Sequence, residues 1–303
     1  MACGQPVELV WRRSPVRSGR LVRPRLVALF RSATYSPQRH AANDTGILEA
    51  TVSELERLGW SVHRCTEREV VTRALPPAEL YLNMCQGPAA SQALLEHETM
   101  GHRFLNRPSS VLGCHRHRLV PALAASGIPF PATVLVSTEE GLTRSQRPEL
   151  ASLGAGPVWL KRGGVHAERP EDVLRLERHE LAHGLAEFAG RGISLAAVQA
   201  HVPGPVVKFY GVAGGGLFHA YVAETGAPVT PDLVDPETLR GLAFRAAARL
   251  RLDIFGGDVV IADGHKPVLI DLNDWPSFAP ICDMAARAIA RHVHAARPRG
   301  ALV

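Results

Sequence analysis

The chain of 303 residues contains no long apolar run and no closely spaced pair of cysteines. A helix that crosses a membrane needs about 18 or more consecutive apolar residues, and no segment approaches that length. The five cysteines are scattered, odd in number and never arranged as Cys-x-x-Cys, which disfavours a disulfide framework and a common zinc site. The sequence therefore predicts a cytoplasmic protein that does not enter a membrane.

Most of the chain also lacks net charge. The formal charge of the whole sequence is +5, and the first 25 residues carry six arginines against one glutamate, which accounts for all of it. We expect residues 1–24 to form a disordered basic tail. Basic and aromatic residues are not interleaved in the rest of the chain, so nucleic acid is not expected as a partner.

Strand and helix patterns alternate in the first third of the chain. Short apolar runs typical of strands occur at residues 26–30, 60–64 and 79–84, and helical periodicity occurs up to residue 58 and at residues 89–101. We expect Asn43, Asp44 and Thr45 to cap the first of these helices. The alternation predicts a small parallel α/β domain. A charged helix is expected much later, over residues 171–189.

Two β-branched runs near the C-terminal end are separated by a short polar turn. The runs are Val259-Val260-Ile261 and Val268-Leu269-Ile270, and Asp263-Gly264 lies between them. Both residues of that dipeptide tolerate positive φ, which makes it a strong hairpin signal. The sequence therefore predicts an antiparallel hairpin here.

Three oxygen-bearing side chains would meet at the open end of this hairpin. Asp271 and Asn273 share one face of a strand because side chains alternate, and the antiparallel return brings Asp258 to the same end. Mg²⁺ binds a few such hard ligands and completes its coordination with water and nucleotide phosphates. The three residues are thus candidate ligands for Mg²⁺ or Mn²⁺ in a metal-nucleotide site. The alternative is an ordinary exposed hairpin whose acids are solvated.

The order of motifs along the chain resembles the ATP-grasp superfamily over roughly residues 26–293. The matching segments are Phe104 to Val111, His117-Arg118-Leu119, Gly127-Ile128-Pro129-Phe130-Pro131-Ala132-Thr133, Val158-Trp159-Leu160-Lys161, Val198 to Gly204, and the hairpin. The resemblance implies an α/β fold with α+β lobes. An N-terminal parallel α/β domain (25–110) would precede two ATP-clamping subdomains, a central one (111–200) and a C-terminal one (201–303) that carries the metal site.

The same resemblance implies roles for individual residues. Arg118 stands where the family usually has a lysine, and with Lys161 it would neutralise the phosphates of ATP. The hinge between the two clamping subdomains would bind the adenine through Gln199, Ala200, His201 and Val202. His166, five residues after Lys161, and Lys208 are similar to residues of the inositol trisphosphate 5/6-kinases that lie near the phosphates and the acceptor. Catalytic candidates are therefore Lys161, Arg118, His166 and Lys208.

The resemblance implies an ATP- and Mg²⁺-dependent ligase that activates a substrate carboxylate as an acylphosphate for attack by an amine. Its partners would be a small-molecule carboxylate and an amine. That reaction needs no protein nucleophile, and the sequence shows no convincing Ser/His/Asp or Cys/His arrangement. A small-molecule kinase and a nucleotide-binding protein without catalysis are the alternatives. The oligomeric state is left open, with a homodimer as one option.

Overall fold

The computed structural model describes residues 23–36, 41–140, 147–164, 169–214 and 216–297. The described strands are β1 (Arg25–Phe30), β2 (Ser61–Thr66), β3 (Leu80–Asn83), β4 (Phe104–Leu105), β5 (Thr133–Ser137), β6 (Val158–Arg162), β7 (Val173–Leu176), β8 (Leu195–Ala200), β9 (Val206–Val212), β10 (Leu217–Val222), β11 (Ile254–Ala262) and β12 (Lys266–Asp274). The described helices are α1 (Ala41–Arg57), α2 (Glu67–Thr72), α3 (Pro88–Thr99), α4 (Pro108–Gly113), α5 (Arg116–Ala124), α6 (Arg147–Ala151), α7 (Leu181–Gly190), α8 (Pro236–Arg249) and α9 (Cys282–Ala295). Residues 1–22, most of the predicted basic tail, lie outside the described part.

The first sheet is parallel and has the strand order β2-β1-β3-β4. Its central strand β1 is a continuous apolar run, Leu26 to Leu29, that is buried throughout. Such a run is typical of a parallel strand covered on both faces by helices. The predicted parallel α/β domain is therefore confirmed.

The start of α1 differs from the expectation. Asn43, Asp44 and Thr45 lie inside this helix, which begins at Ala41, so they do not cap it. Asp44 is buried and its Oδ2 accepts a hydrogen bond of 2.9 Å from Nη1 of Arg31. An ion pair formed across the tertiary structure thus determines the position of this carboxylate, and local capping preference does not.

The other two sheets are antiparallel. The central sheet has the order β5-β8-β6-β7, and the C-terminal sheet has the order β10-β9-β11-β12. The single helix predicted over residues 171–189 is wrong, because Val173–Leu176 forms β7 and the helix begins only at Leu181. The strand β7 pairs with β6 along its length. Pairing within the sheet therefore outweighs the helical preference that the charged residues of this segment suggest.

The first and third sheets are joined by a common core, whereas the central sheet has a core of its own. Leu82 of the first sheet, Ile254 of β11 and Ile289 of α9 belong to one buried cluster. Buried Asn106 reinforces this junction: its Nδ2 donates to the carbonyl of Ile254 at 2.6 Å, and its Oδ1 accepts from the backbone N–H groups of Asp253 and Ile254 at 2.8 and 2.9 Å. The central sheet packs its apolar side chains against α7 in a separate cluster.

Among the described helices, none combines the length and the apolar character needed to cross a bilayer.

Gly257 in β11 leaves no room for a side chain. A Cβ placed there would lie 2.4 Å from the carbonyl oxygen of Asp271 and 2.6 Å from Cζ of Phe209. We expect Gly257→Ala to lower the free energy of unfolding by about 1–3 kcal/mol or more. Gly46→Ala is the matched control: Gly46 lies in α1, where an added Cβ would meet nothing within 4 Å, and alanine should add about 0.5–1 kcal/mol. Urea denaturation measures both changes, and equal stabilities would contradict the close packing of β11 on β12.

Candidate nucleotide and metal site

The predicted hairpin is confirmed as β11 and β12. The two strands are antiparallel, Asp258 pairs directly with Asp271, and Gly256 pairs with Asn273. A bulge next to this pair, between Asp258 and Val259, shifts the register. Residues paired directly across two antiparallel strands have Cβ atoms about 4.5–5.5 Å apart, so the two carboxylates lie side by side.

Each carboxylate of this pair is matched by a cation from another element. Nζ of Lys208, which pairs with Asp258 across β9 and β11, donates to Oδ1 of Asp258 at 2.7 Å. Nη2 of Arg116 donates to Oδ2 of Asp271 at 2.5 Å. Burial lowers the pKa of Lys208, but the charge of Asp258 and its hydrogen bond outweigh burial, so the net effect is a raised pKa. Lys208 therefore stays cationic beside Asp258.

Lys161 connects the central sheet to β12. It lies in β6 with only 5% of its surface exposed, and its Nζ donates to Oε1 of Gln199 at 2.7 Å and to the carbonyl of Ile270 at 3.1 Å. Burial, opposed by the negative charge of Asp271 and assisted by the positive charge of Arg116, lowers its pKa to about 8. Lys161 is thus a buried, hydrogen-bonded cation and not a lysine that faces solvent at the end of a strand.

The structure brings Arg116, and not Arg118, to this cluster. Arg116 is buried, and its Nη1 donates to the carbonyl of Arg162 at 3.0 Å while its Nη2 bonds Asp271. Arg118 is exposed, and its Nε donates to Nε2 of His117. Residues two positions apart in a helix are rotated by about 200° around its axis. Arg116 and Arg118 of α5 therefore face nearly opposite directions. Helical periodicity separates them, but only the position of α5 shows which one faces the site.

The hinge residues lie where β8 ends. Gln199 is buried against Lys161, as described above, and Nδ1 of His201 accepts a hydrogen bond of 3.1 Å from Nε1 of Trp159. The backbone N–H groups of Ala200 and His201 donate to carbonyls of the central subdomain, and Val202 follows in a half-buried position. His166 lies outside the described residues.

The donor set of the hairpin suits a hard divalent cation. Asp258 and Asp271 are adjacent and each accepts a hydrogen bond from a cation, and Asn273 is two residues further along β12 on the same face. Oxygen donors of this kind are those that Mg²⁺ and Mn²⁺ prefer. No group of three or more His, Cys, Asp or Glu side chains in the described ranges is arranged as a metal site. The candidate set differs from such groups in that its third member is an asparagine.

A cavity of about 570 Å³ opens in front of the hairpin. One wall consists of Lys208, Asp258, Asp271 and Asn273 together with the tyrosine pair Tyr210 and Tyr221. The opposite wall comes from the N-terminal domain: Arg31, Tyr35 and Gln86 lie in its loops, and Asp44 lies in α1. This opposite wall was not expected from the sequence, because its members are far from the hairpin along the chain and fit no short motif.

The chain has the ATP-grasp fold, as comparison with solved structures shows. No family model matches the sequence, and no curated protein matches it. The D-alanine–D-alanine ligase from Bacillus anthracis, solved in complex with ATP, superimposes with a TM-score of 0.66 at 14% identity. The alignment covers 91% of this chain and 98% of the ligase.

Two further solved structures have the same architecture. The D-cycloserine synthetase DcsG matches with a TM-score of 0.63 at 18% identity over 89% of this chain and 99% of that one. A RimK domain ATP-grasp protein from Sphaerobacter thermophilus matches with a TM-score of 0.64 at 22% identity, again over 89% and 99%. At these identities the matches establish the fold, and the site must be argued from this chain's own residues.

Proposed function

We propose that the protein is an ATP-dependent ligase that activates a substrate carboxylate as an acylphosphate, which an amine then attacks to form an amide or peptide bond. The observation that carries the proposal is the meeting of three elements in front of one cavity. These are the carboxylate pair Asp258 and Asp271, the buried cation Arg116, and the wall of the N-terminal domain. Lys161 does not line the cavity, but its hydrogen bond to the carbonyl of Ile270 places its ammonium group next to Asp271. The solved structures with this fold include a D-alanine–D-alanine ligase with ATP and a D-cycloserine synthetase, and their names agree with this reaction class.

The residues have separate tasks in this proposal. Asp258, Asp271 and Asn273 would hold Mg²⁺ or Mn²⁺, which when bound neutralises phosphate charge as the γ-phosphoryl group is transferred. Lys161 and Arg116 approach the same place from the central subdomain and α5, and they stabilise the negative charge that develops on the phosphates. Lys208, held by Asp258, lines the cavity where the carboxylate would enter. Gln199 orients the ammonium of Lys161.

The charges of the cavity favour a carboxylate acceptor over a polyphosphorylated alcohol. Arg31, Arg116 and Lys208 line the cavity, and each forms an ion pair with an aspartate of the same cavity. An acceptor with several phosphates would need a surplus of cations to bind it. A small carboxylate and a small amine need only one or two such groups, which the pairs provide. These balanced charges favour the ligase over the kinase.

Isotope transfer tests the reaction directly. We expect a suitable carboxylate and amine to elicit ADP release, and a carboxylate labelled with ¹⁸O to pass one label to inorganic phosphate, because the acylphosphate retains an oxygen of the substrate. Hydroxylamine should replace the amine and give a hydroxamate. Release of ADP with polyols, with the phosphoryl group recovered as a phosphate ester and not as inorganic phosphate, would support the kinase instead. No acceptor-dependent ADP from a broad panel would support a nucleotide-binding protein without catalysis.

Arg116 and Arg118 allow a matched comparison within one helix. A charge-assisted hydrogen bond contributes about 1.5–3 kcal/mol, so Arg116→Met should lower kcat/KM for ATP by about tenfold or more. Arg118→Met, which removes an exposed arginine of the same helix, should change it by less than about twofold. The kinetics are measured at saturating metal. A larger loss of kcat/KM in Arg118→Met than in Arg116→Met would support Arg118 as the phosphate-binding arginine, as predicted from the sequence.

A further inference from the structure

Glu67 is a buried carboxylate that holds two loops of the N-terminal domain together. Only 4% of its surface is exposed. Its Oε2 accepts from the backbone N–H of Ser32 at 2.6 Å, and its Oε1 accepts from the backbone N–H groups of Gln86, at 3.0 Å, and Gly87. Ser32 lies in the loop after β1, and Gln86 and Gly87 lie in the loop after β3. Three backbone donors from two loops therefore meet on one charged side chain, and such bonds are stronger than those to neutral acceptors.

These two loops form the N-terminal wall of the cavity. Tyr35 in the first loop and Gln86 in the second both line it. The loops also pack directly on each other, because a Cβ on Gly87 would lie 2.3 Å from Cε2 of Tyr35 and 2.8 Å from Oε1 of Glu67. The glycine thus allows the tyrosine ring and the carboxylate to approach the same backbone. Glu67 itself is absent from the cavity lining.

The loop after β3 also contacts β12, the strand that carries two of the candidate metal ligands. Nε2 of Gln86 donates to Oδ1 of Asp274 at 3.1 Å. Asp274 is the last residue of β12 and follows Asn273 directly. We call the three backbone hydrogen bonds to Glu67 the clasp. Through Gln86, the clasp connects the N-terminal wall to the end of β12 that carries the candidate metal ligands.

We propose that Glu67 is a positioning residue for the acceptor: by holding the loops that carry Tyr35 and Gln86, it fixes the wall against which the substrate carboxylate or amine binds. This inference rests on the proposed ligase function. ATP would bind between the central and C-terminal sheets, where Lys161 and Gln199 lie, so its affinity does not depend on the clasp. The cavity of about 570 Å³ in front of the hairpin is within the size range of pockets that bind small molecules.

Glu67→Gln tests the clasp, with Glu69→Gln as the matched control. Both carboxylate oxygens of Glu67 accept hydrogen bonds from backbone N–H groups. In glutamine one of these oxygens is replaced by an NH₂ group, which cannot accept, so at least one of the hydrogen bonds is lost. Glu69 lies in the same helix and accepts from the backbone N–H of Thr66, but it contacts neither loop in the hydrogen bonds described. Hydrogen exchange should become about tenfold faster at Ser32, Gln86 and Gly87 in the Glu67 variant, and stay unchanged there in the control.

Steady-state kinetics give the second measurement. In Glu67→Gln the KM of the acceptor should rise by about tenfold, with the Kd of Mg·ATP within about twofold of the unmodified protein. Should that variant fail to fold, Tyr35→Leu removes the ring from the wall but none of the three backbone hydrogen bonds to Glu67, and the same rise in the KM of the acceptor is expected. Glu67→Asp, which keeps the charge on a shorter side chain, should recover part of the loss.

Each outcome bears on one claim. Unchanged exchange in Glu67→Gln would show that Glu67 does not hold the loops. Faster exchange with an unchanged acceptor KM, or an unchanged KM in Tyr35→Leu, would show that this wall does not bind the acceptor. If no carboxylate elicits ADP release from the unmodified protein, the ligase function fails, and the assignment of an acceptor wall fails with it. The exchange result, which requires no turnover, still decides whether the clasp exists.

Discussion

Replacing Asp271 by asparagine is expected to lower metal-dependent turnover by about a hundredfold or more, because the metal contributes several kcal/mol of charge stabilisation during phosphoryl transfer. Asparagine keeps the shape of the side chain and removes its charge. Asp271 also accepts the hydrogen bond of 2.5 Å from Arg116, so the variant weakens that bond and should lose about 1–3 kcal/mol of stability. Turnover is measured over a titration of Mg²⁺ and of Mn²⁺, and folding is followed by thermal denaturation.

Asp263→Asn is the control for the Asp271 variant. Asp263 is an exposed carboxylate in the turn of the same hairpin, at the opposite end from the candidate metal ligands. Its replacement removes the same charge from the same hairpin and should leave turnover unchanged. Full activity of Asp271→Asn, with the same metal requirement, would contradict the metal assignment and favour the view that these acids are an ordinary surface pair.

Lys161→Met is expected to weaken the binding of ATP by about tenfold to a hundredfold at pH 7, which corresponds to the loss of one charge-assisted hydrogen bond. Methionine fills a similar volume without the charge.

In the unmodified protein the affinity for ATP should also depend on pH. Burial lowers the pKa of Lys161 to about 8, so above pH 8 the lysine must take up a proton to bind the phosphates. Affinity should then fall by up to about tenfold for each further pH unit.

The stability of the free protein should change with pH in the opposite direction. The pKa of Lys161 is about 8 in the folded chain, against a usual value of 10.5. Between these values the unfolded chain binds more protons than the folded one, so stability rises with pH across this window. In Lys161→Met that contribution disappears. Isothermal titration with Mg·ATP and thermal denaturation at pH 7 to 9.5 measure the two effects, and the difference between the two proteins isolates Lys161 from other groups that titrate.

An ATP affinity that is the same in both proteins would show that Lys161 only ties the central sheet to β12. That role also follows from its hydrogen bonds to Gln199 and Ile270. The stability measurement still reports on its burial in that case.

The hairpin and the arginine beside Asp271 show how far sequence reasoning reaches. Asp263-Gly264 between two β-branched runs predicts the hairpin and places Asp258 beside Asp271, and the structure confirms both. This works because turn chemistry and side-chain alternation are local properties. The choice between Arg116 and Arg118 is different. The two residues are equivalent in charge and type, and only the packing of α5 against the cleft turns Arg116 inward.

The ion pair of Arg31 with Asp44 and the clasp on Glu67 were also beyond prediction. Asp44 resembles a helix cap in the sequence, and Glu67 opens a short helix with a capping box formed by Thr66 and Glu69. Both carboxylates are instead used by partners distant along the chain. A local pattern gives no information on partners that arrive from another loop, so Asp44 was assigned to a cap from the sequence and Glu67 was given no role.

The sequence by itself determined the class of fold, the parallel first domain, the hairpin and the identity of the three candidate metal ligands, because these follow from local periodicity, turn residues and the order of motifs along the chain. The tertiary structure alone decided which arginine meets Asp271, that Lys161 is buried with a lowered pKa, and that the cavity has a second wall built by the loops around Glu67. Those features arise where the three sheets meet, and burial, charge pairing and pKa depend on distances in space that no spacing along the chain encodes.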